Sequence, residues 1–340
     1  MNNILPLENE LNYLHSLPIL YEFDSKKESF SEWQNRAKEK LIELIGLDYF
    51  SECNDCFEKQ YEKSQTDYTE IRFEFTSEEN YTVPCRFLIP KESSFEKPPV
   101  MICLQGHGTG MHISLGEAKY PVDEMKIKTG DRDFALQCIK KGYCALALDQ
   151  RNFGEKGGNP KPTCHASSLV ALITGRSTVA GRVWDIMRAI DVLEKHFSDV
   201  CNTEEIYCMG NSGGGTATLY AAALESRIKA AISSCAFCSF EKSIGEQNHC
   251  ECNYIPQIRR YFDMAEIAGM IAPKKLVIVS GKTDGIFPIE GAVSEFRRLK
   301  ENYYTSAGCA DNCAHVIGSE GHRFYADDAW PVFERILSNH

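Results

Sequence analysis

The sequence predicts an α/β fold: a mostly parallel central sheet flanked by helices, with an N-terminal helical extension. Three observations predict it. Five short runs, residues 100–105, 143–149, 204–209, 229–235 and 275–280, are almost continuously apolar, as strands covered on both faces must be. Between them lie longer segments with helical spacing of apolar residues, and a strand–helix–strand series builds a parallel sheet with helices on both sides. Upstream, residues 69–76 and 81–89 alternate in strand fashion, which predicts an antiparallel pair at the sheet edge.

Residues 1 to about 60 read as helical. Ser31-Glu32-Trp33-Gln34 has capping-box spacing. Trp33, Ala37, Leu41, Leu44 and Ile45 follow at helical intervals, and Gly46 ends the run. An extension over residues 1–65, packed on a main domain of residues 66–340, is therefore expected. Two stretches, 111–130 and 154–180, read as site-covering loops: both leave the predicted C-terminal edge of the sheet and are long enough to cover a site there. No internal repeat or low-complexity region is present.

At 340 residues the chain is long enough to bury a substantial core. Its 43% hydrophobic and 25% charged residues are those of a globular protein. A net charge of −11 and a pI near 5.4 oppose nucleic acid and anionic membranes as partners. The start, Met1-Asn2-Asn3-Ile4-Leu5-Pro6-Leu7-Glu8, lacks the basic and long apolar regions of a signal peptide. No stretch approaches the ~18 apolar residues of a membrane span. A cytoplasmic location is expected. The 15 cysteines are odd in number, so free thiols are expected rather than a disulfide framework. Four pairs have metal-like spacing, Cys53/Cys56, Cys235/Cys238, Cys250/Cys252 and Cys309/Cys313, and His249 adjoins the third. A zinc site needs about four converging ligands, and the expectation is that no metal and no cofactor is bound.

The most informative stretch is Tyr207-Cys208-Met209-Gly210-Asn211-Ser212-Gly213-Gly214-Gly215-Thr216. It reads G-x-S-x-G between an apolar strand-like segment and a small-residue helical one, which is the setting of a nucleophile elbow. Gly210 and Gly214 keep side chains out of a crowded turn. A serine hydroxyl needs a base to become a nucleophile, and the base needs an orienting carboxylate. Here the partners follow in the order serine, acid, histidine. Asp284 stands in the loop after the run Lys275–Ser280, at the strand end where ligand-binding groups gather. His322, rather than the nearby His315, stands in the turn Gly318–Phe324 before the last helix. One oxyanion donor is the backbone N–H of Gly213. The other is expected from Gly108 or Thr109, in the loop Gln105-Gly106-His107-Gly108-Thr109-Gly110. Each such donor is typically worth about 3 kcal/mol of barrier. His107 is read as a brace for this loop. Arg151 is read as the partner of a buried carboxylate, with Asp185 the candidate, and substrate contact is the alternative; Trp184 is read as core.

On these residues the chain resembles an α/β-hydrolase of the acetylxylan esterase and dienelactone hydrolase-like group. The resemblance runs from about Trp33 to about Leu337. Its further pieces are Arg132-Asp133-Phe134-Ala135, Asp149-Gln150-Arg151-Asn152-Phe153-Gly154, Gly181-Arg182-Val183-Trp184-Asp185, His249-Cys250-Glu251-Cys252-Asn253-Tyr254-Ile255-Pro256, Ile286-Phe287-Pro288 and Gly321-His322-Arg323-Phe324. Serine stands where dienelactone hydrolases proper have cysteine. The resemblance implies an α/β-hydrolase fold over residues 66–340 and ester hydrolysis, often deacetylation of sugars, without a catalytic metal. The expected protein is a serine carboxylesterase acting through an acyl-enzyme on a small-molecule ester, most simply a short acetylated sugar or other small acetyl ester. Homo-oligomerisation stays open. Alternatives are a serine peptidase of the prolyl oligopeptidase type, an acyl thioesterase, or a binding module that has lost the chemistry. The peptidases usually carry a large N-terminal propeller, and about 70 residues before the sheet leave no room for one. The ordered set of Ser212, Asp284 and His322 opposes the binding module.

Overall fold

The computed structural model describes residues 4–158 and 163–339. Among them, nine strands form one sheet: β1 (Glu58–Ser64), β2 (Tyr68–Glu78), β3 (Tyr81–Pro90), β4 (Pro99–Leu104), β5 (Cys144–Leu148), β6 (Asn202–Asn211), β7 (Ile228–Ser234), β8 (Lys275–Gly281) and β9 (Cys313–Gly318). The order across the sheet is β1-β2-β3-β5-β4-β6-β7-β8-β9. The pairings β1–β2, β2–β3 and β3–β5 are antiparallel. All the others are parallel.

The continuous apolar runs follow from burial on two faces. In β4, Val100, Ile102 and Leu104 join the core beneath helices Phe30–Ile45, Thr178–His196 and Gly213–Leu224. Met101 and Cys103 join the opposite core with helices Phe134–Lys140 and Ala326–Ser338. β8 divides in the same way, Leu276 and Ile278 against Val277 and Val279. Each fully buried aliphatic side chain of this kind contributes about 1.5–3 kcal/mol.

Helix Phe30–Ile45 buries Trp33, Ala37, Leu41 and Ile45, one every four residues, so this face packs on the sheet. Its capping box is Ser29 with Glu32, two residues before the Ser31–Gln34 box that the spacing suggests. The same Ser-x-x-acid pattern begins at Ser29, and a carboxylate there also gains from the positive end of the helix. Gly46 closes the helix with φ 74°, a conformation glycine adopts without a Cβ penalty. Residues 1–60 are not helical throughout: after helices Pro6–Ser16 and Phe30–Ile45, β1 lies inside the 1–65 segment and forms the sheet edge. The segments 111–130 and 154–180 carry helices Met111–Ser114, Pro121–Lys128 and Cys164–Ile173; residues 159–162 of the second lie outside the described residues. Among the described residues, no helix is long and apolar enough to cross a membrane.

Candidate active site

Ser212 follows β6 and caps helix Gly213–Leu224 with φ 57° and ψ −123°. A non-glycine residue held there stores roughly 1–3 kcal/mol of strain, and such strain persists only when its surroundings over-determine it. The Ser212 N–H donates to Ser234 O at 2.8 Å, and Ser212 O accepts from Thr216 N–H at 2.8 Å. A Cβ on Gly214 would lie 2.3 Å from Leu104 O, and one on Gly210 would lie 2.4 Å from the Gly214 carbonyl carbon. Both positions therefore need glycine. With the Asn211 amide oriented to satisfy both of its atoms, it donates to Ser234 Oγ and accepts from Arg132 Nη2, each at 2.9 Å.

The loops after β8 and β9 bring Asp284 and His322 together at the same sheet edge. His322 Nδ1 lies 2.7 Å from Asp284 Oδ2. Asp284 Oδ1 accepts from the amides of Ile286 at 2.8 Å and Phe287 at 3.2 Å. Burial pushes the Asp284 carboxyl upward, but the hydrogen bond and charge of His322 and these two amides outweigh it, so the group sits below its ordinary range. An ionised Asp284 holds the proton of a neutral His322 on Nδ1 and leaves Nε2 as the acceptor. The only His322 side-chain hydrogen bond among the described residues is to Asp284; the bond to a serine in such sites often tightens only when substrate is bound. His315 plays a different part. Its Nε2 lies 2.9 Å from Ser280 Oγ on β9's neighbour β8, and burial pulls it down to about 4, so it is a neutral packing group.

Three residues at the site were given no part in it from sequence, Cys235 having been noted only for its spacing from Cys238. Cys235, at the end of β7, has its Sγ within 4.8 Å of the Asp284 and His322 ligand atoms and donates to Arg323 O at 3.2 Å. Burial, then the charge of Asp284, pushes this thiol up to about 12, so it stays neutral. The Phe287 ring stacks over His322 at 6.1 Å between centroids. Phe153 Cζ would lie 3.0 Å from a Cβ on Gly213. Phe153 and Phe287 both fall in motifs quoted above, where their apolar character gave no sign of a role. A cleft of about 340 Å³ adjoins His322, bordered by Met125, Lys126, Arg132 and Arg323.

The oxyanion loop engages one of the two candidates for the second donor, Thr109, in a bond of its own. The Thr109 amide donates to Gly106 O at 3.3 Å, and its hydroxyl donates to the same oxygen at 2.6 Å. That amide closes a tight turn. Gly108 sits at the turn with φ 70° and no atom within 4 Å of its Cβ position. The loop atom closest to a Cβ on Gly213 is the His107 nitrogen, at 3.5 Å. The His107 backbone nitrogen therefore lies near Gly213, and the His107 ring packs edge-on against Phe153 at 5.2 Å. Asp149 ties this loop to the next: Oδ1 accepts from Met111 N–H at 2.6 Å and Oδ2 from Glu155 N–H at 2.8 Å. Burial pushes its carboxyl up to about 6. Gln150 Nε2 adds a bond to Gln105 O at 2.6 Å.

Arg151 pairs with Asp185 through Nε at 2.9 Å and Nη2 at 2.8 Å, and with Glu78 at 2.6 Å. Two carboxylates satisfy it, which makes it a positioning residue. Trp184 is half-buried and donates to Ser77 O at 2.9 Å. His249 does not join the cysteines beside it; its Nε2 lies 3.1 Å from Ser243 Oγ and 3.3 Å from Ile286 O. Among the described residues, of the four cysteine pairs only Cys250/Cys252 keeps both members in a group close enough to hold an ion, and it does so with Cys164 and His107.

A model of the abhydrolase family matches residues 12–168, and one of the prolyl oligopeptidase family matches residues 176–334. A protein of Bacillus subtilis (strain 168) with a provisional hydrolase name, YtaP, is 27% identical over 242 residues, covering 70% of this chain and 77% of its own. A solved structure from Bacteroides fragilis NCTC 9343, provisionally named an acetyl xylan esterase, superposes with a TM-score of 0.77 at 18% identity, covering 97% of this chain and 84% of the other. An acetyl xylan esterase from Paenibacillus sp. R4 superposes with a TM-score of 0.60 at 17% identity, covering 98% and 99%. Two adjoining family matches, the sheet order and the strained serine turn agree: the chain has the α/β-hydrolase fold.

Proposed function

We propose that the protein is a serine carboxylesterase that deacetylates short acetylated sugars or other small acetyl esters. The observation that carries this reading is Ser212, held at φ 57°, at the same sheet edge as a His322–Asp284 pair joined at 2.7 Å. His322 Nε2 takes the Ser212 proton as Oγ attacks the ester carbonyl. The amides of Gly213 and His107 hold the oxyanion. His322 returns the proton to the departing alcohol, leaving an acyl-enzyme; it then takes a proton from the attacking water and delivers it to Ser212 Oγ as the acyl–oxygen bond breaks and the acid leaves. Each amide is worth about 3 kcal/mol of barrier.

One support bears on the substrate class. The acetyl xylan esterases among the structural neighbours share the fold. The unpaired cysteines favour a reducing compartment, so we place the enzyme in the cytoplasm. A second reading, a serine peptidase, is favoured by the prolyl oligopeptidase match over residues 176–334. One panel separates them: 4-nitrophenyl acetate, propionate and octanoate, acetylated xylo-oligosaccharides and aminoacyl amides. Acetyl and propionyl esters are expected to turn over fastest. A real long-chain site would gain about 0.8 kcal/mol per buried methylene, so rates climbing steadily to octanoyl would overturn the acetyl reading. Preference for the aminoacyl amides would establish the peptidase.

A further inference from the structure

The sequence pairs its cysteines locally, but the fold gathers a different set. Cys164 lies on helix Cys164–Ile173, Cys250 and Cys252 lie around the short turn Glu251–Asn253, and His107 lies in the oxyanion loop. Their four ligand atoms all fall within 4.8 Å of one another, and Cys250 Sγ is 3.4 Å from Cys164 Sγ. Cys164 and Cys252 are buried beside Phe153, whereas His107 is exposed, so one face stays open for an ion to enter.

Three thiolates and one imidazole are the ligand set of a structural zinc site. With a zinc–sulfur distance of about 2.3 Å, tetrahedral ligand atoms stand about 3.8 Å apart. The group therefore needs only small side-chain adjustments to close on an ion. Such a site would carry a net charge of about −1, because three thiolates exceed one Zn²⁺. A compensating cation is in place. Arg182 is 1% exposed, lies within electrostatic reach of Cys164 and Cys252, and has an Nη1 with no hydrogen-bond partner among the described residues. The remaining Arg182 donors bond Arg151 O. The other close group, Cys235, Asp284 and His322, belongs to the active site described above.

We propose that His107, Cys164, Cys250 and Cys252 form a zinc site that pins the oxyanion loop to helix Cys164–Ile173 and the turn at Glu251–Asn253. Three thiol protons leave as zinc binds, and no oxidant is needed. The role is structural: His107 would be held by its ring while its backbone nitrogen lies near Gly213, so, on the function proposed above, the ion fixes a donor without touching substrate.

The test uses the reduced full-length protein and Zn²⁺ alone, with binding read by elemental analysis after gel filtration and by competition with a chromogenic chelator. One zinc per chain is expected. Cys164→Ser and Cys252→Ser should each weaken binding by roughly tenfold or more, whereas Cys53→Ser and Cys309→Ser should not change it. Co²⁺ in the wild type should give thiolate charge-transfer and tetrahedral d–d bands. His107→Ala should alter the d–d bands and keep the charge transfer. Far-UV circular dichroism checks folding; if a serine variant does not fold, the wild-type cobalt spectrum and His107→Ala decide. Three results would overturn the proposal: no zinc above trace, stoichiometric zinc undiminished in both folded serine variants, or a Cys164–Cys250 disulfide under the same reducing conditions with no zinc uptake.

Discussion

Asp284→Asn inverts the hydrogen-bond polarity of the active site with almost no change in shape. Asp284 Oδ1 already accepts from two amides, Ile286 at 2.8 Å and Phe287 at 3.2 Å. In the variant the carboxamide oxygen must keep that place, because an NH₂ there would face two donors. The new NH₂ then points at His322 Nδ1, 2.7 Å away in the parent. It donates to that nitrogen and drives the imidazole proton to Nε2, the atom that must accept from Ser212. The wrong tautomer at such a triad costs about 10⁴ in rate, or about 5.5 kcal/mol at 1.36 kcal/mol per decade. Asp284→Ala has no such donor and leaves His322 free to choose either tautomer, so it should be the less damaged variant. The assay is kcat/KM for 4-nitrophenyl acetate, with far-UV circular dichroism to confirm folding. An Asp284→Asn enzyme within tenfold of the parent, or more active than Asp284→Ala, would refute the reasoning.

Two further predictions concern residues outside the reaction. Arg151→Ala leaves Asp185, which is 0% exposed, with an uncompensated buried charge, and breaking such a pair costs about 3–5 kcal/mol; chemical denaturation should show this loss while KM for small esters stays unchanged, and a raised KM at full stability would return Arg151 to the substrate. His315 is held at about 4 against an ordinary 6.5, so its neutral form stabilises the fold above pH ~6.5 and that contribution is lost as pH falls toward 4. The full shift is worth at most about 3.4 kcal/mol at 1.36 kcal/mol per unit, and partial exposure reduces this to roughly 1–3 kcal/mol. The stability of the parent relative to His315→Gln should therefore drop between pH 7 and 4, with activity near normal at pH 7; a pH-independent difference would contradict the burial argument.

What could be read from sequence was what has a local cause. The Ser212 elbow shows itself because Gly210 and Gly214 are demanded by backbone 2.3–2.4 Å from their Cβ positions. The central strands show themselves because burial on both faces leaves no polar positions in runs such as β4, where all six residues are buried. β1 gives no such signal: EKQYEKS is exposed at all but one position, as suits an edge strand kept polar against further pairing. β9 is only half buried and short, and it passes for a loop around His315. The covering segments were read as loops because helices of 4 to 10 residues are too short for a clear period. That the Thr109 amide is bonded to Gly106 O is something no motif specifies. Cys164 lies 86 residues from Cys250, so their convergence with His107 is a property of the folded chain.

Active-site labelling with a fluorophosphonate tests the central claim most directly, since only a serine activated by a neighbouring base reacts rapidly. Intact-mass analysis of the native protein should show one adduct per chain, and peptide mapping should place it on Ser212. Ser212→Ala should take up none and lose esterase activity. An adduct on another serine, or a Ser212→Ala protein that still reacts and still cleaves acetyl esters, would contradict the account.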